Sequence, residues 1–210
     1  MLQYVYGYVN VQLGQICSIK GRIGFRGYTS NDIVKPGEGA ISLSPSNIDN
    51  NTINYDENTY ISWDKYFESP EIMIENNDVV FVKTGSTVGK VALVKKMPEK
   101  TTLNPQLVVF KNIKCNYAYL YYWLTSYQAQ KYVKATAGIG SVPNISQEKL
   151  GELVVCLPSV EEQECIVSIL DKFDKYCNDI SEGLPAEIKY RQQQYEYYRD
   201  KLLSFKRLED

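Results

Sequence analysis

Histidine is absent from all 210 residues. That removes Ser-His-Asp and Cys-His nucleophilic sites and any imidazole-ligated metal. Cysteine is sparse. Cys17, Cys115, Cys156, Cys165 and Cys177 are scattered, odd in number and never spaced as Cys-x-x-Cys. Buried reduced thiols are therefore expected, with no metal site and no disulfide framework. No apolar run approaches the ~20 residues that span a membrane, and the N-terminus lacks a signal-peptide pattern. The expectation is a cytoplasmic protein with no membrane partner. Catalytic signatures are missing too. Asn104-Pro-Gln-Leu107 lacks the second proline and the aromatic of an amino-methylase tetrad, and the Glu-x-Lys of Glu187-Ile-Lys189 has no upstream Pro-Asp to help hold Mg²⁺. No catalytic residue is assigned. No internal repeat is present.

What the chain has is a hydrophobic fraction of 44% and aromatics at 12%, with eighteen tyrosines, enough for a proper core and an appendage. Its formal charge is only −2, but the charge is unevenly spread. Residues 36–80 hold nine acids and one lysine, whereas residues 81–135 hold nine lysines and one acid, Glu99. A stretch that basic inside a near-neutral protein suits a phosphate-facing surface; lysines dispersed round a solvated shell are the plainer reading.

The last fifty residues carry a separate pattern. Ile166, Leu170, Phe173, Cys177, Ile180, Leu184, Ile188, Tyr195, Tyr198, Leu202 and Phe205 recur at mostly three- and four-residue steps, broken at Arg191. This is a narrow heptad seam on a helix. Pro158 and the Ser159-Val-Glu-Glu162 capping-box pattern mark its start. So narrow a stripe needs a second helix to cover it. Either the tail folds back on its own domain, or it is an arm that pairs with another copy or another subunit. Gly183-Leu-Pro185 interrupts it, because Pro185 cannot donate to the Ser181 carbonyl, and a kink or local break is expected. Helical throughout, the arm would run roughly 70 Å.

Along the rest of the chain, residues 1–20 read as a strand or a short helix-plus-strand entry. Lys20-Gly-Arg-Ile-Gly-Phe-Arg-Gly-Tyr-Thr-Ser30 is a glycine loop with two arginines, suited to phosphate or guanine edges or simply to a turn. A turn is expected at Lys35–Glu38, a short strand at Ala40–Leu43, and a polar surface loop over 47–58, which holds five asparagines. Trp63 and Phe67 suggest a helical turn or two packed on the core. Asp78–Lys83 and Lys90–Val94 are two β-branched runs joined by Thr-Gly-Ser-Thr-Val-Gly, a hairpin. Gly85-Ser-Thr-Val-Gly89-Lys90 is not a phosphate loop: only three residues separate the glycines, and Val91 follows the lysine. It remains a small hydroxyl-bearing loop beside two lysines. Gln106–Phe110 reads as a strand, and Asn116 caps a helix over Tyr117–Ala135 with Leu120, Trp123, Leu124 and Tyr127 inward. Gly138–Ser146 is a second glycine-polar loop, with Ser146 capping a short helix at Gln147–Leu150. Leu153–Leu157 is a strand leading into the arm.

Several of these segments resemble the specificity subunits of Type I restriction–modification enzymes. They are Lys83-Thr-Gly-Ser-Thr-Val-Gly-Lys-Val-Ala-Leu-Val94, Gly140-Ser-Val-Pro-Asn-Ile-Ser146, Leu157-Pro-Ser-Val-Glu-Glu-Gln163 and Ile166-Val-Ser-Ile-Leu-Asp-Lys-Phe173. Ser181-Glu-Gly-Leu-Pro-Ala-Glu-Ile188, Arg191–Phe205 and Arg22-Ile-Gly-Phe-Arg-Gly-Tyr-Thr29 extend the similarity over nearly the whole chain.

The resemblance implies an α/β (α+β) target recognition domain with a mixed β-sheet, here residues 1–155. A long helical coiled-coil arm, 156–210, would act as spacer and dimerisation region. It implies duplex DNA as partner, modification subunits that carry S-adenosylmethionine, and restriction subunits; no cofactor is expected in this chain. The family normally has two recognition domains and two helical regions in one chain, and here there is one of each. An antiparallel homodimer reading a palindromic split target is therefore expected. Candidate DNA contacts are Lys20, Arg22, Arg26, Tyr28, Lys83, Thr84, Ser86, Thr87, Lys90, Ser141 and Asn144. Candidate dimerisation residues are Ile166, Leu170, Phe173, Leu184, Ile188, Tyr195, Leu202 and Phe205. The alternatives are a coiled-coil assembly adaptor whose globular part binds protein, and a nucleotide-binding enzyme, which the loop spacing disfavours.

Overall fold

β-branched residues become strands where the pattern marks them. The computed structural model describes residues 7–22, 27–138, 142–178 and 184–203, in two units divided between Glu164 and Cys165. In the first unit the chain runs β1 (Tyr8–Gln12), α1 (Leu13–Ile16), β2 (Ser18–Gly21), β3 (Ile33–Val34), β4 (Gly39–Leu43), β5 (Ile48–Asp49), β6 (Thr52–Ile53) and β7 (Thr59–Ser62). There follow α2 (Trp63–Phe67), β8 (Val79–Val82), β9 (Val91–Leu93), β10 (Thr101–Leu103), β11 (Leu107–Lys111), α3 (Tyr117–Thr125), α4 (Tyr127–Thr136), α5 (Gln147–Gly151) and β12 (Val154–Pro158). The class is mixed α/β with several sheets. Two are four-stranded, in the orders β10-β4-β7-β3 and β2-β11-β8-β9, and β1-β12 and β5-β6 are two-stranded ribbons. Only β10–β4 is parallel among the pairings described.

The core lies between the two larger sheets. Ile41, Leu43 and Tyr60 of one pack with Val80, Val82, Ala92, Leu107 and Val109 of the other. Because side chains alternate across a strand, Phe81 and Phe110 belong to the opposite face, where their rings meet edge-on at 6.1 Å. β8 is thus buried on both sides, which explains an unbroken Val-Val-Phe-Val rather than an alternating run. Each such side chain contributes about 1.5–3 kcal/mol by leaving water. Gly39 is required where β4 crosses β7: a Cβ there would stand 2.0 Å from the Ile61 carbonyl oxygen.

Expected caps are in place. The Asn116 side chain accepts from the Ala118 and Tyr119 amides at the start of α3, and Ser146 Oγ accepts from the Lys149 amide at the start of α5. Three expectations need correction. The helix over 117–135 breaks at Ser126, whose hydroxyl accepts from the Ala129 amide and starts α4. Leu120 and Leu124 are buried, but Tyr127 is 79% exposed, since it opens a new helix instead of continuing the first stripe. In α2 the residue facing the core is Tyr66; Phe67 is 64% exposed and Trp63 stacks on it at 6.1 Å. The asparagine-rich 47–58 stretch contains a hairpin, β5–β6, turned by Asn50 and Asn51 at φ +45° and +58°, a conformation asparagine tolerates. Asn47 is buried, its amide donating to the Asn54 and Glu57 carbonyls.

β12 runs through Ser159, whose hydroxyl accepts from the Glu162 amide, into α6 (Val160–Asn178); α7 covers Leu184–Leu203. The buried Gln163 side chain accepts from the Asn116 amide and donates to the Pro158 carbonyl, so the root of α6 is pinned inside the first unit. Pro185 is the second described residue of α7; the Ser181 carbonyl, and with it the expected kink or break, lies outside the described residues. In the second unit Ile166 and Leu170 are half-buried, while Phe173, Leu184 and Ile188 are more than half exposed. Arg191 pairs with Glu187 at 2.9 Å, which accounts for a charge in the apolar rhythm. The side chains of Tyr195 and Leu202, and Phe205 altogether, lie outside the described residues. No helix among the described residues is long and apolar enough to cross a membrane.

Cys17, Cys115, Cys156 and Cys165 are free thiols. Burial pushes the Cys17 thiol up to about 12, with Cys115 nearby adding to the effect, and burial pushes Cys115 up to about 11. The reactive thiolate is therefore scarce at both below about pH 10. Alkylation of the folded protein at pH 8, read by mass spectrometry, should label the exposed Cys165 first. Cys17 and Cys115 should react only after denaturant is added.

Candidate nucleic-acid interface

Two loops sixty residues apart in sequence meet at one place. As the chain leaves β8, the Lys83 carbonyl accepts from the Ile145 amide at 2.9 Å and the Gly85 amide donates to the Pro143 carbonyl at 2.9 Å. Thr84 and Asn144 form an antiparallel bridge between them. Across it the Thr84 hydroxyl donates to Asn144 Oδ1 at 2.6 Å. The Gln106 carbonyl accepts from the Lys83 and Thr84 amides at 2.9 and 3.3 Å, and the Asn104 amide group donates to Gln106 Oε1 at 3.2 Å. Four backbone bonds thus tie the 83–85 segment to β10–β11 and to the second glycine loop.

Beyond the bridge the chain makes two tight turns. The Val88 amide donates to the Gly85 carbonyl at 3.1 Å, the Lys90 amide to Thr87 at 3.2 Å, and the Gly89 amide to Val82 at 2.9 Å. Gly85 and Gly89 have φ of +111° and +99°, a region closed to most side chains. A Cβ on Gly89 would lie 2.6 Å from Gln130 Oε1. Gln130, inside α4, donates to the Gly89 and Leu124 carbonyls at 2.9 and 2.8 Å. Lys90 Nζ donates to the Ile48 carbonyl at 2.7 Å, so the ammonium is held against the β5–β6 ribbon. Asn51, Ser86, Thr87, Val88, Lys90 and Gln130 border an open concavity of about 460 Å³ whose lining, among the described residues, carries one cation and no acid.

Lys83, Thr84, Ser86, Thr87, Lys90 and Asn144 are therefore brought together. Three further candidates stand on other elements. Lys20 is exposed on β2, an edge strand of its sheet. Arg22 is only 3% exposed: its Nε donates to the Leu103 carbonyl at 3.1 Å and its Nη2 to Thr102 Oγ1 at 3.4 Å. Burial lowers its pKa, opposed by Tyr28, Glu68, Glu71 and Asp32. The guanidinium lies 5.5 Å from the centre of the Tyr28 ring, and the Tyr28 hydroxyl accepts from Ser42 Oγ at 3.0 Å. Arg22 is turned into the fold, where it braces the Tyr28 loop against β10. Arg26 and Ser141 fall outside the described residues. Sequence reasoning missed Asn51, Gln106 and Gln130. Each is a single polar residue with no motif around it, and only the fold puts them beside the loop.

The family model for the Type I restriction modification DNA specificity domain matches residues 7–190. The chain belongs to this family. It is 35% identical over 164 residues to the EcoR124I/EcoR124II specificity subunit of Escherichia coli, across 78% of this chain and 40% of that protein. To the MpnII specificity subunit of Mycoplasma pneumoniae it is 39% identical over 83 residues, across 40% of this chain and 24% of that one. Its fold is similar to the crystal structure of the HsdS subunit from Thermoanaerobacter tengcongensis, with TM-score 0.60 and 20% identity over 81% of this chain and 38% of that one. The chain thus spans less than half the length of these relatives. The specificity domain carries both glycine loops and the start of the helical segment within the matched residues.

The Thr84–Asn144 contact should be measurable as a coupling. In a double-mutant cycle of Thr84→Val and Asn144→Ala, urea midpoints should give about 0.5 kcal/mol of interaction energy, the low end for a partly exposed hydrogen bond. Strictly additive single effects would mean that the side-chain bond does not form in solution.

Proposed function

We propose that this chain is a non-catalytic DNA-recognition unit that reads one half-site in duplex DNA through the surface joined at Thr84 and Asn144. The observation that carries the reading is that bridge. It joins the Lys83–Lys90 loop, which carries two lysines and three hydroxyls, to Asn144 sixty residues away, in a chain of the DNA specificity family. Lysines and backbone amides suit phosphate oxygens, and Asn144 with the loop hydroxyls suits base edges. Arg22 braces the Tyr28 loop against β10, and Lys20, Arg26, Tyr28 and Ser141 are proposed as further contacts. Modification subunits that carry S-adenosylmethionine, and restriction subunits, are the proposed assembly partners.

The helical segment is proposed as a coiled-coil arm that pairs antiparallel with a second copy. Phe173 at 62%, Leu184 at 57% and Ile188 at 65% exposure are a steep cost in water for a single chain, and a second seam would remove it. Twofold pairing of two recognition domains gives inverted half-sites at a spacing set by the arms.

Two measurements test this. Fluorescence anisotropy with duplex DNA should show log affinity falling linearly with log salt concentration, the signature of counterion release. No binding at low salt would leave the domain as a protein adaptor. Light scattering should give a mass near twice 24.1 kDa, and Leu170→Asp with Phe173→Asp should return it to the single-chain mass. A dimer that survives both changes would sink the arm model.

A further inference from the structure

We infer that the concavity beside the Gly85–Lys90 turns is a seat for one backbone phosphate of the DNA, separate in role from the Thr84–Asn144 edge. The inference rests on the DNA-recognition reading above and assigns a division of labour within it. The turns use the Val88, Gly89 and Lys90 amides for their own hydrogen bonds. The amides of Ser86 and Thr87, at the corner between, have no acceptor among the described residues. Nor do their hydroxyls. Two successive amides presented at a glycine-bounded turn make a small anion-binding concavity.

The charge beside them has the right sign. Among the described residues Lys90 is the one cation in the lining, and the lining includes no carboxylate. One of its ammonium protons is committed to the Ile48 carbonyl at 2.7 Å, which fixes the head group and leaves two protons for a ligand. Asn51, at the turn of the β5–β6 hairpin, closes the far side. Gln130 spends both amide protons on the Gly89 and Leu124 carbonyls, so it holds the turn and offers the ligand no donor. The concavity is open rather than enclosed, so a strand can pass through it, whereas a free nucleotide would leave most of its surface in water. Lys90 and the free Ser86 and Thr87 amides supply one charge and two backbone donors. That set neutralises a phosphate and does not discriminate between base pairs.

Hydrogen exchange on the unaltered chain is the direct test. Adding cognate duplex should slow exchange at the Ser86 and Thr87 amides; unchanged exchange there overturns the inference. In anisotropy titrations Lys90→Gln should lower the salt slope by about one and weaken binding equally on cognate and non-cognate duplexes. Lys90→Arg should keep the slope. An unchanged slope in folded Lys90→Gln, or a loss confined to the cognate sequence, would overturn the phosphate assignment while leaving DNA recognition intact. Slowed exchange with inorganic phosphate alone, at matched ionic strength, combined with an unchanged slope, would make this a free-anion site. If the unaltered chain binds no duplex at all, the recognition reading fails, and this inference with it.

Discussion

The structure around the candidate interface depends on a short backbone pairing, the ladder that joins Lys83–Gly85 to Pro143–Ile145. Without it, each glycine loop would be a separate surface excursion, and the residues they carry would have no fixed relation. With it, the second loop becomes an extra strand segment laid against the exit of β8. β8 is a rigid base because both its faces are buried. Packing in the sheet core thus reaches the surface through a few hydrogen bonds. The interface inherits its stiffness from Val80, Val82 and Phe81 rather than from its own polar atoms.

A second constraint acts at the other end of the chain. The first unit is closed down to Gln163, whose side chain satisfies the Asn116 amide and the Pro158 carbonyl in a buried position. Beyond it the helices keep apolar residues that one chain leaves exposed. If the arms pair as proposed, a rigid root and an unsatisfied stripe suit a device that fixes distance: the root sets where the helix begins, and pairing would set where a second domain sits. On the proposed reading, recognition and spacing are therefore built from separate parts of the sequence, and changes in one need not disturb the other.

Much of the fold was legible because it rests on local rules. The β8–β9 hairpin follows from two β-branched runs around glycines, and the helix starts at Asn116, Ser146 and Ser159 follow from cap chemistry. Local rules also mark where legibility stopped. Ser126 splits one aromatic helix into two because its hydroxyl caps a new start, an option that a stripe of Leu120, Trp123, Leu124 and Tyr127 conceals. Asn50 and Asn51 turn a hairpin inside what composition alone reads as a loop. Of the candidate contacts, those on the Lys83–Lys90 loop could be picked out by composition, but their meeting with Asn144 is a tertiary fact. Arg22 was the reverse case: an arginine among glycines reads as a ligand for phosphate, yet a guanidinium can also serve buried carbonyls, and only its 3% exposure decides between them.

The central claim is that the chain reads duplex DNA as a symmetric pair of recognition units. Selection of bound duplexes from a randomised pool, at a salt concentration where non-specific binding is weak, tests it most directly. The account predicts enrichment of one short half-site repeated in inverted orientation across a gap of constant length. A single half-site without an inverted copy would contradict the paired-arm arrangement, and a pool that remains random would contradict sequence recognition itself.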